Sequence, residues 1–392
     1  MLSVLAFARK SLVRIVAATA ALALAACTTG PIATGPGPVT AGSGEVTVAL
    51  LVPGGSGQAS DELLARSLQN AARLAIADLN GVTVNLRVYN TAGQPGQAQA
   101  MALQAADEGA QIILGPVFAQ EANAAGVALA GRGINVLSFS NNPDIAGGNV
   151  FVLGPTFQNT AARLGGYAAR NGKRRIMIVH ERNTAGELGR SAIERGVAQA
   201  GGSVVGVGSY EFSQNGVVSA APGIVATAQS TGADAVFLTA DTAGALPLVT
   251  QLLRDNGLDT EAMRLIGLTR WDIPAATLAL PGVQGGWFAL PDPNLYAQYQ
   301  SRYQAAYGEV PHPISGLAYD GIAAIGALSK RGQAGPIPAA ALTQGAGFVG
   351  VNGIFRLRGD GTNERGLAVA QVRNNQVVVI DPAPRSFGGA GF

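Results

Sequence analysis

The chain has 392 residues, which is enough for two domains of ordinary size. Lysine and arginine together number 26 and aspartate and glutamate 24, and three of the basic residues, Arg9, Lys10 and Arg14, lie near the N-terminus. Subtracting those three leaves 23 basic against 24 acidic residues, a net charge of −1, in the rest of the chain. Because this part has no basic excess, its charge gives no support to nucleic-acid binding, and we predict no nucleic-acid partner.

The first 26 residues have the pattern of a secretory signal peptide. The basic pair Arg9-Lys10 precedes an apolar run that is too short for a transmembrane anchor. Cys27 follows Leu24-Ala25-Ala26 and resembles the cysteine of a bacterial lipobox, which implies a diacylglyceryl group on Cys27 as the mature N-terminus. The alternative is an ordinary signal peptide with a chance cysteine. Cys27 is the only cysteine, which excludes an internal disulfide, and we expect a lipid-anchored protein outside the cytoplasm.

After the signal peptide, a linker precedes a long alternation of strand and helix patterns. Residues 27–44 are rich in Thr, Gly, Pro and Ala, a composition that buries no core, and we predict a lipidated flexible tether. From Glu45 apolar strand patterns alternate with helical ones, and the alternation restarts near Arg175. This order predicts an α/β fold with parallel sheets and right-handed crossovers, in two similar lobes. One helix of the second run is expected near residues 222–231.

The residues needed for catalysis do not occur in any usual arrangement. Neither His180 nor His312 has a metal-ligand partner at useful spacing, and the chain has no nucleophile elbow, phosphate-binding loop or dinucleotide fingerprint. We therefore predict no catalytic residues, no metal site and no cofactor. An enzyme on this scaffold is a third hypothesis, because carboxylates from distant segments sometimes meet in a cleft.

Several short motifs, in order, resemble those of the leucine-binding-like, type I periplasmic binding proteins. Residues 112–118, 137–141 and 350–355 resemble the family's third strand, fourth strand and closing element, and the resemblance spans 46–382. It implies two Rossmann-like lobes joined by three crossovers, with a ligand cleft between them. The implied parts are lobe 1 at 45–154 plus 288–348, lobe 2 at 158–285 plus 353–383, and a C-terminal tail at 384–392.

The cleft expected from this resemblance keeps only part of the family's amino-acid site. Residues 116–121 contain no serine to hold a ligand carboxylate, and Ala185-Gly186 stands where the family has a Tyr-Gly pair for the ammonium group. For Ser138 and Ser140 the alternative role is hydrogen bonding at a strand end. Trp271 either stacks on a ligand or fills the lobe interface. If a small ligand binds, we expect it to contact Ser56, Gly57, Ser138, Ser140, Asn141, Thr184, Asp241 and Trp271.

The sequence also resembles one subgroup of this family, and that resemblance implies a protein partner. The lipobox, with residues 172–175 and 284–289, resembles penicillin-binding-protein activator lipoproteins, which implies a non-catalytic regulator of peptidoglycan synthesis that contacts a penicillin-binding protein. Thr28 stands where an aspartate would signal inner-membrane retention, so the resemblance implies a periplasmic protein on the inner leaflet of the outer membrane. The alternative is an ABC transporter substrate-binding protein for an amino acid or similar small solute, with an ABC permease as partner.

Overall fold

A computed structural model describes residues 44–330 and 335–387. The predicted signal peptide, Cys27 and all of the predicted tether except Gly44 lie outside the described residues, and so do residues 388–392 of the predicted tail. These assignments stay predictions. Within the described ranges, no helix is both long and apolar enough to span a membrane.

The first sheet has five parallel strands in the order β2-β1-β3-β4-β5. Its inner strands are almost wholly buried apolar runs, because helices cover both faces of the sheet. The strands are β1 (Gly44–Val52), β2 (Val82–Asn90), β3 (Ile112–Leu114), β4 (Val136–Ser138) and β5 (Val150–Val152), and the intervening helices are α1 (Ala59–Asp78), α2 (Pro95–Asp107) and α3 (Ala119–Leu129).

The second sheet has seven strands in the order β15-β14-β10-β9-β8-β6-β7. The five strands from β10 to β7 run parallel, and β14 is antiparallel to both of its neighbours. The strands are β6 (Arg175–Glu181), β7 (Ser203–Tyr210), β8 (Ala235–Leu238), β9 (Arg264–Gly267), β10 (Trp287–Leu290), β14 (Ala368–Arg373) and β15 (Gln376–Asp381). The helices on this sheet are α4 (Phe157–Arg170), α5 (Thr184–Gln199), α6 (Gln214–Ser230) and α7 (Leu246–Asp255).

After β10 the chain returns to the first sheet. Tyr299 and Tyr303 on one helix and Ile322 on the next lie in the same core cluster as Leu68 of α1, so both helices pack on the first sheet. We call the first sheet with its helices the first lobe, and the second sheet with its helices the second lobe. The remaining elements are α8 (Pro293–Tyr307), α9 (Gly316–Ser329), α10 (Ala339–Leu342) and a three-stranded sheet of β11 (Phe348–Gly350), β12 (Gly353–Leu357) and β13 (Asn363–Arg365).

The predicted α/β class is confirmed, but three boundaries differ from the sequence prediction. Residues 288–290 lie in β10 of the second sheet, although lobe 1 was predicted to resume at 288. Phe355 and Leu357 pack into the core of the first lobe, although residues 353–383 were predicted to belong to lobe 2. Helix α6 begins after Ser213, whose Oγ accepts a hydrogen bond from the Gly216 N–H, and not near Pro222. Proline has no backbone N–H to donate and is common in the first turn of a helix. Pro222 therefore looks like a helix start in the sequence, although it lies inside α6.

Candidate functional site

A buried ion pair lies where the two lobes are connected. Arg365 on β13 and Asp320 on α9 approach to 3.2 Å, and their side chains are 3% and 0% exposed. The Arg365 Nε also donates to the Leu153 carbonyl at 2.8 Å, just after β5. The Asp320 carboxylate accepts the Val351 N–H at 2.8 Å. The pair therefore joins β13 to α9 and also binds the backbone just after β5 and between β11 and β12.

Asn363 on β13 extends the same network. Its side-chain amide donates to the carbonyls of Val152 at 2.7 Å and Gly154 at 2.8 Å. Its own carbonyl accepts a hydrogen bond from Asn159, at the start of α4, at 2.9 Å. The Asn363 side chain thus holds residues 152–154, where the chain leaves the first sheet. The Asn363 side-chain oxygen, in contrast, is buried without a hydrogen-bond partner.

A groove of about 480 Å³ is lined by residues of both lobes. The second lobe contributes Arg270 and Asp272, from the loop after β9, and the Arg270 Nε donates to Asp272 Oδ1 at 2.9 Å. The first lobe contributes Tyr296 and Gln300 of α8 and the loop that follows that helix. The only arginine in the lining is already paired, and the rest of the groove is largely proline and aliphatic.

The first-lobe residues predicted to bind a ligand lie at the carboxyl edge of the sheet, where each serine hydroxyl accepts a backbone N–H group of its own turn. Ser138 Oγ donates to the Pro116 carbonyl and accepts the Ser140 N–H, both at 3.1 Å. Ser140 Oγ accepts the Asn142 N–H at 3.1 Å. Strand-end hydrogen bonding is therefore what the structure shows for both buried serines. The other three residues of this group, all in turns after strands, are Ser56, which accepts the Gln58 N–H, and the exposed Gly57 and Asn141.

The second-lobe residues of the predicted set lie at two different depths. Thr184 and Asp241 are exposed after the ends of β6 and β8. Trp271 is 0% exposed and packs in the core of the second lobe, 6.3 Å from Phe288 between ring centroids. Its ring has no face open to a solute, and it fills the core of one lobe instead of the interface. No hydrogen bond or ion pair among residues 44–330 and 335–387 joins the first-lobe group to the second-lobe group.

Carboxylates that sequence reasoning missed occupy the helix starts of the first lobe. Glu62 of α1 accepts the Gly55 N–H at 2.6 Å, so this turn amide already has an anionic partner. Glu121 of α3 is 0% exposed, and neither carboxylate oxygen has a hydrogen-bond partner. The nearby Thr91 hydroxyl donates to the Val52 carbonyl instead. Burial raises the pKa of Glu121, and the charge of Asp61 raises it further.

A second acidic group lies at the carboxyl edge of the second lobe. Glu181 ends β6, is 8% exposed, and accepts a hydrogen bond from Asn183 at 2.8 Å. Tyr210 ends β7 directly opposite Glu181, and its buried hydroxyl has no hydrogen-bond partner. Burial raises the pKa of Glu181 and of Tyr210, and the charge of Asp241 raises both further. The signal in the sequence was only that an acid and a tyrosine each end a strand.

Glu121 gives a stability prediction with a defined pH dependence. Its folded-state pKa is raised, so its contribution to stability is full below the ordinary glutamate pKa and is lost as the pH rises through the folded value. We expect Glu121→Met to raise the free energy of unfolding by about 1–3 kcal/mol at pH 8, and by progressively less towards pH 4. Urea titration at several pH values measures this. The exposed control Glu45→Met should change it by less than about 0.5 kcal/mol, and an equal gain for Glu121→Met at every pH would contradict the assignment.

Two α/β lobes with hinge-like connections and a groove between them define a class of protein that encloses a small ligand between its lobes. The family model described as "Periplasmic binding protein" matches residues 45–376. The chain therefore belongs to the periplasmic binding protein family, in its leucine-binding-like, type I branch, as the sequence motifs predicted. Members of this family are binding proteins rather than enzymes, and the family implies a periplasmic or extracytoplasmic location. No curated protein matches the sequence.

Solved structures share the fold at low sequence identity. A putative branched-chain amino acid ABC transporter protein from Rhodospirillum rubrum has a TM-score of 0.70 at 18% identity, covering 86% of this chain and 99% of that one. A substrate-binding protein from Desulfitobacterium hafniense in complex with Leu has a TM-score of 0.64 at 19% identity, covering 86% and 100%. A solute-binding protein from Rhodopseudomonas palustris BisB5 with 3,4-dihydroxy benzoic acid has a TM-score of 0.58 at 17% identity, covering 86% and 96%. These likenesses establish the two-lobed fold.

Proposed function

We propose that this protein is an extracytoplasmic receptor that binds a small solute between its lobes and delivers it to an ABC permease. The observation that carries the proposal is the groove of about 480 Å³, which residues of both lobes line. This volume lies within the range of about 300–1,000 Å³ that is usual for small-molecule sites. The similar solved structures that hold Leu or 3,4-dihydroxy benzoic acid support the same function.

The receptor proposal needs a ligand that stabilises the folded chain. A solute at about 100 times its Kd adds about 2.7 kcal/mol to the free energy of unfolding, which raises the Tm of a protein this size by several degrees. We expect at least one solute in a panel of amines, amino acids, amides and aromatic carboxylates to do so with the full-length protein. Calorimetric titration then gives the stoichiometry, expected to be one per chain. Absence of any shift across the panel would contradict the proposal.

The second candidate is the penicillin-binding-protein activator that the subgroup motifs suggested. One observation favours it: the Ser138 hydroxyl donates to the Pro116 carbonyl, so this hydroxyl does not donate to a ligand carboxylate. The solved neighbours favour the receptor instead. Lipid attachment at Cys27 and an outer-membrane position belong to this candidate as proposals. Recovery of a peptidoglycan synthase with the detergent-solubilised protein, without permease subunits, would support it.

A further inference from the structure

A second pocket, of about 400 Å³, lies at the amino edge of the second sheet, away from the groove. Arg264 begins β9 at this edge, whereas the groove residues Arg270 and Asp272 follow the end of the same strand. The pocket is lined by Arg254, Thr260, Glu261, Arg264, Gln284 and Gly285. Two arginines therefore line a pocket to which none of the ligand-binding residues predicted from the sequence contributes.

The guanidinium of Arg264 is held in place by a carbonyl and a ring. Its Nη1 donates to the Gly285 carbonyl at 2.7 Å, and its Cζ lies 5.7 Å from the centroid of the Trp287 ring. The same carbonyl accepts a hydrogen bond from Gln371 of β14, also at 2.7 Å. Gly285 has a φ of 79°, which favours glycine, and a Cβ there would lie only 2.7 Å from Nη1 of Arg264. These contacts fix the guanidinium before any ligand arrives.

The edge of the Arg264 guanidinium that binds oxyanions is unused. Nε and Nη2 form this edge, and together they are able to donate two parallel hydrogen bonds to a carboxylate or phosphate group. Nε is buried without a hydrogen-bond partner, and Nη2 forms no hydrogen bond within residues 44–330 and 335–387. A buried donor without a partner is costly and uncommon in native proteins. Here it marks a place where an acceptor from outside the chain completes the hydrogen bonding.

The positive charge of this pocket is not neutralised by ion pairs. In the part of the chain that the structure describes, neither Arg264 nor Arg254 pairs with a carboxylate, and Arg254 donates to a backbone carbonyl instead. Glu261 is the one carboxylate of the lining, and its side chain is exposed. The nearby Asp259 carboxylate accepts the backbone N–H groups of Glu261 and Ala262. The lining therefore carries two positive charges against one negative charge.

We propose that Arg264 and Arg254 bind an oxyanion, the carboxylate or phosphate group of a small molecule, in this pocket. Nε and Nη2 of Arg264 donate to two oxygens of the group, and Arg254 supplies a second positive charge from the exposed side. The Thr260 hydroxyl, which has no hydrogen-bond partner among the described residues, is a further donor in the lining. This site is separate from the groove and does not rest on the receptor function.

The test uses two simple oxyanions. Calorimetric titration of the full-length protein with inorganic phosphate and with malonate measures their binding, and sodium chloride keeps the ionic strength equal throughout. We expect at least one of the two anions to bind at one site per chain, and the tighter of them identifies the kind of oxyanion that the pocket prefers. Absence of binding by both anions would overturn the proposal.

Variants separate the donor edge of Arg264 from its charge. Arg264→Lys keeps the positive charge but removes the paired donors, so it should weaken anion binding by about tenfold or more. Arg254→Gln should weaken binding by several-fold, and Glu261→Gln should strengthen it, because a carboxylate of the lining is lost. The matched control is Arg174→Gln. Arg174 also lies at the amino edge and donates to the Gly201 carbonyl at 3.1 Å, but it does not line the pocket.

The variants also distinguish this pocket from the groove and from a general effect of charge. Thermal unfolding confirms that each variant is folded, and the affinity for a solute bound in the groove should be unchanged in Arg264→Lys. Wild-type affinity for the anion in both Arg264→Lys and Arg254→Gln would overturn the assignment. An equal loss in Arg174→Gln would overturn it as well, because the anion would then respond only to the net charge of this edge.

Discussion

Replacing Arg365 with Met is expected to lower the free energy of unfolding by about 3–5 kcal/mol. The change leaves the Asp320 carboxylate, which is 0% exposed, without its cation. An unpaired buried charge strongly destabilises the folded state. It also removes the hydrogen bond to the Leu153 carbonyl and the contact of the guanidinium with the Phe355 ring, 5.0 Å from its centroid. Chemical denaturation of the full-length protein measures the loss.

A matched control lies close to the same sheet. Arg358 binds Glu364 at 2.7 Å, but its side chain is 53% exposed, so Arg358→Met should cost less than about 1 kcal/mol. Removing both buried charges, with Asp320→Leu and Arg365→Met together, should cost less than Arg365→Met alone, because no unpaired charge remains. A loss for Arg365→Met no larger than for Arg358→Met would show that the pair does not hold the lobes' connections.

Trp271→Ala is expected to have an effect of similar size, about 3–5 kcal/mol of unfolding free energy. The Trp271 ring is fully buried, and the backbone passes close to it at two glycines. A Cβ on Gly267 or Gly286 would lie 2.3 Å or 2.2 Å from ring atoms, so the cavity left by alanine is bounded by backbone that cannot close it. Thermal or urea unfolding measures the change.

A conservative change at the same position separates packing from binding. Trp271→Phe keeps an aromatic ring in the core, so we expect a smaller loss of stability and an unchanged affinity for the panel solute that stabilises the wild-type protein most. If Trp271 stacked on the solute, this variant would lose affinity while keeping most of its stability. That result would restore the ligand-stacking role considered from the sequence and contradict the burial seen here.

The sequence predicted the architecture well because its signals are local. The apolar run in β1 and the 3.6-residue repeat of α1 each report burial within one element, and alternation of such elements fixes an α/β fold. The two exceptions have different origins. Pro222 hid the first half of α6, and the short strand β10 gave no sign of which sheet it joins, because pairing partners are distant in sequence.

The candidate site was predicted less well, since it depends on how separate segments meet. Ser138 is the last residue of β4 and Ser140 follows it, but only the structure shows that their hydroxyls form hydrogen bonds within the turn. Glu181 and Tyr210 become neighbours through the register of β6 and β7, which no short pattern encodes. Trp271 appeared in a loop after a strand, and the glycines that let it enter the core lie on two other segments.

Hydrogen exchange measured by mass spectrometry, on the full-length protein with and without a saturating concentration of the panel solute that stabilises it most, tests most directly whether a solute binds between the lobes. Solute contact and lobe closure slow the opening of nearby backbone, so peptides from both walls of the groove should gain protection. We expect this around residues 310–313 of the first lobe and around residues 270–273 of the second, which line the groove. Protection confined to one lobe, or no change in either, would contradict binding between the lobes.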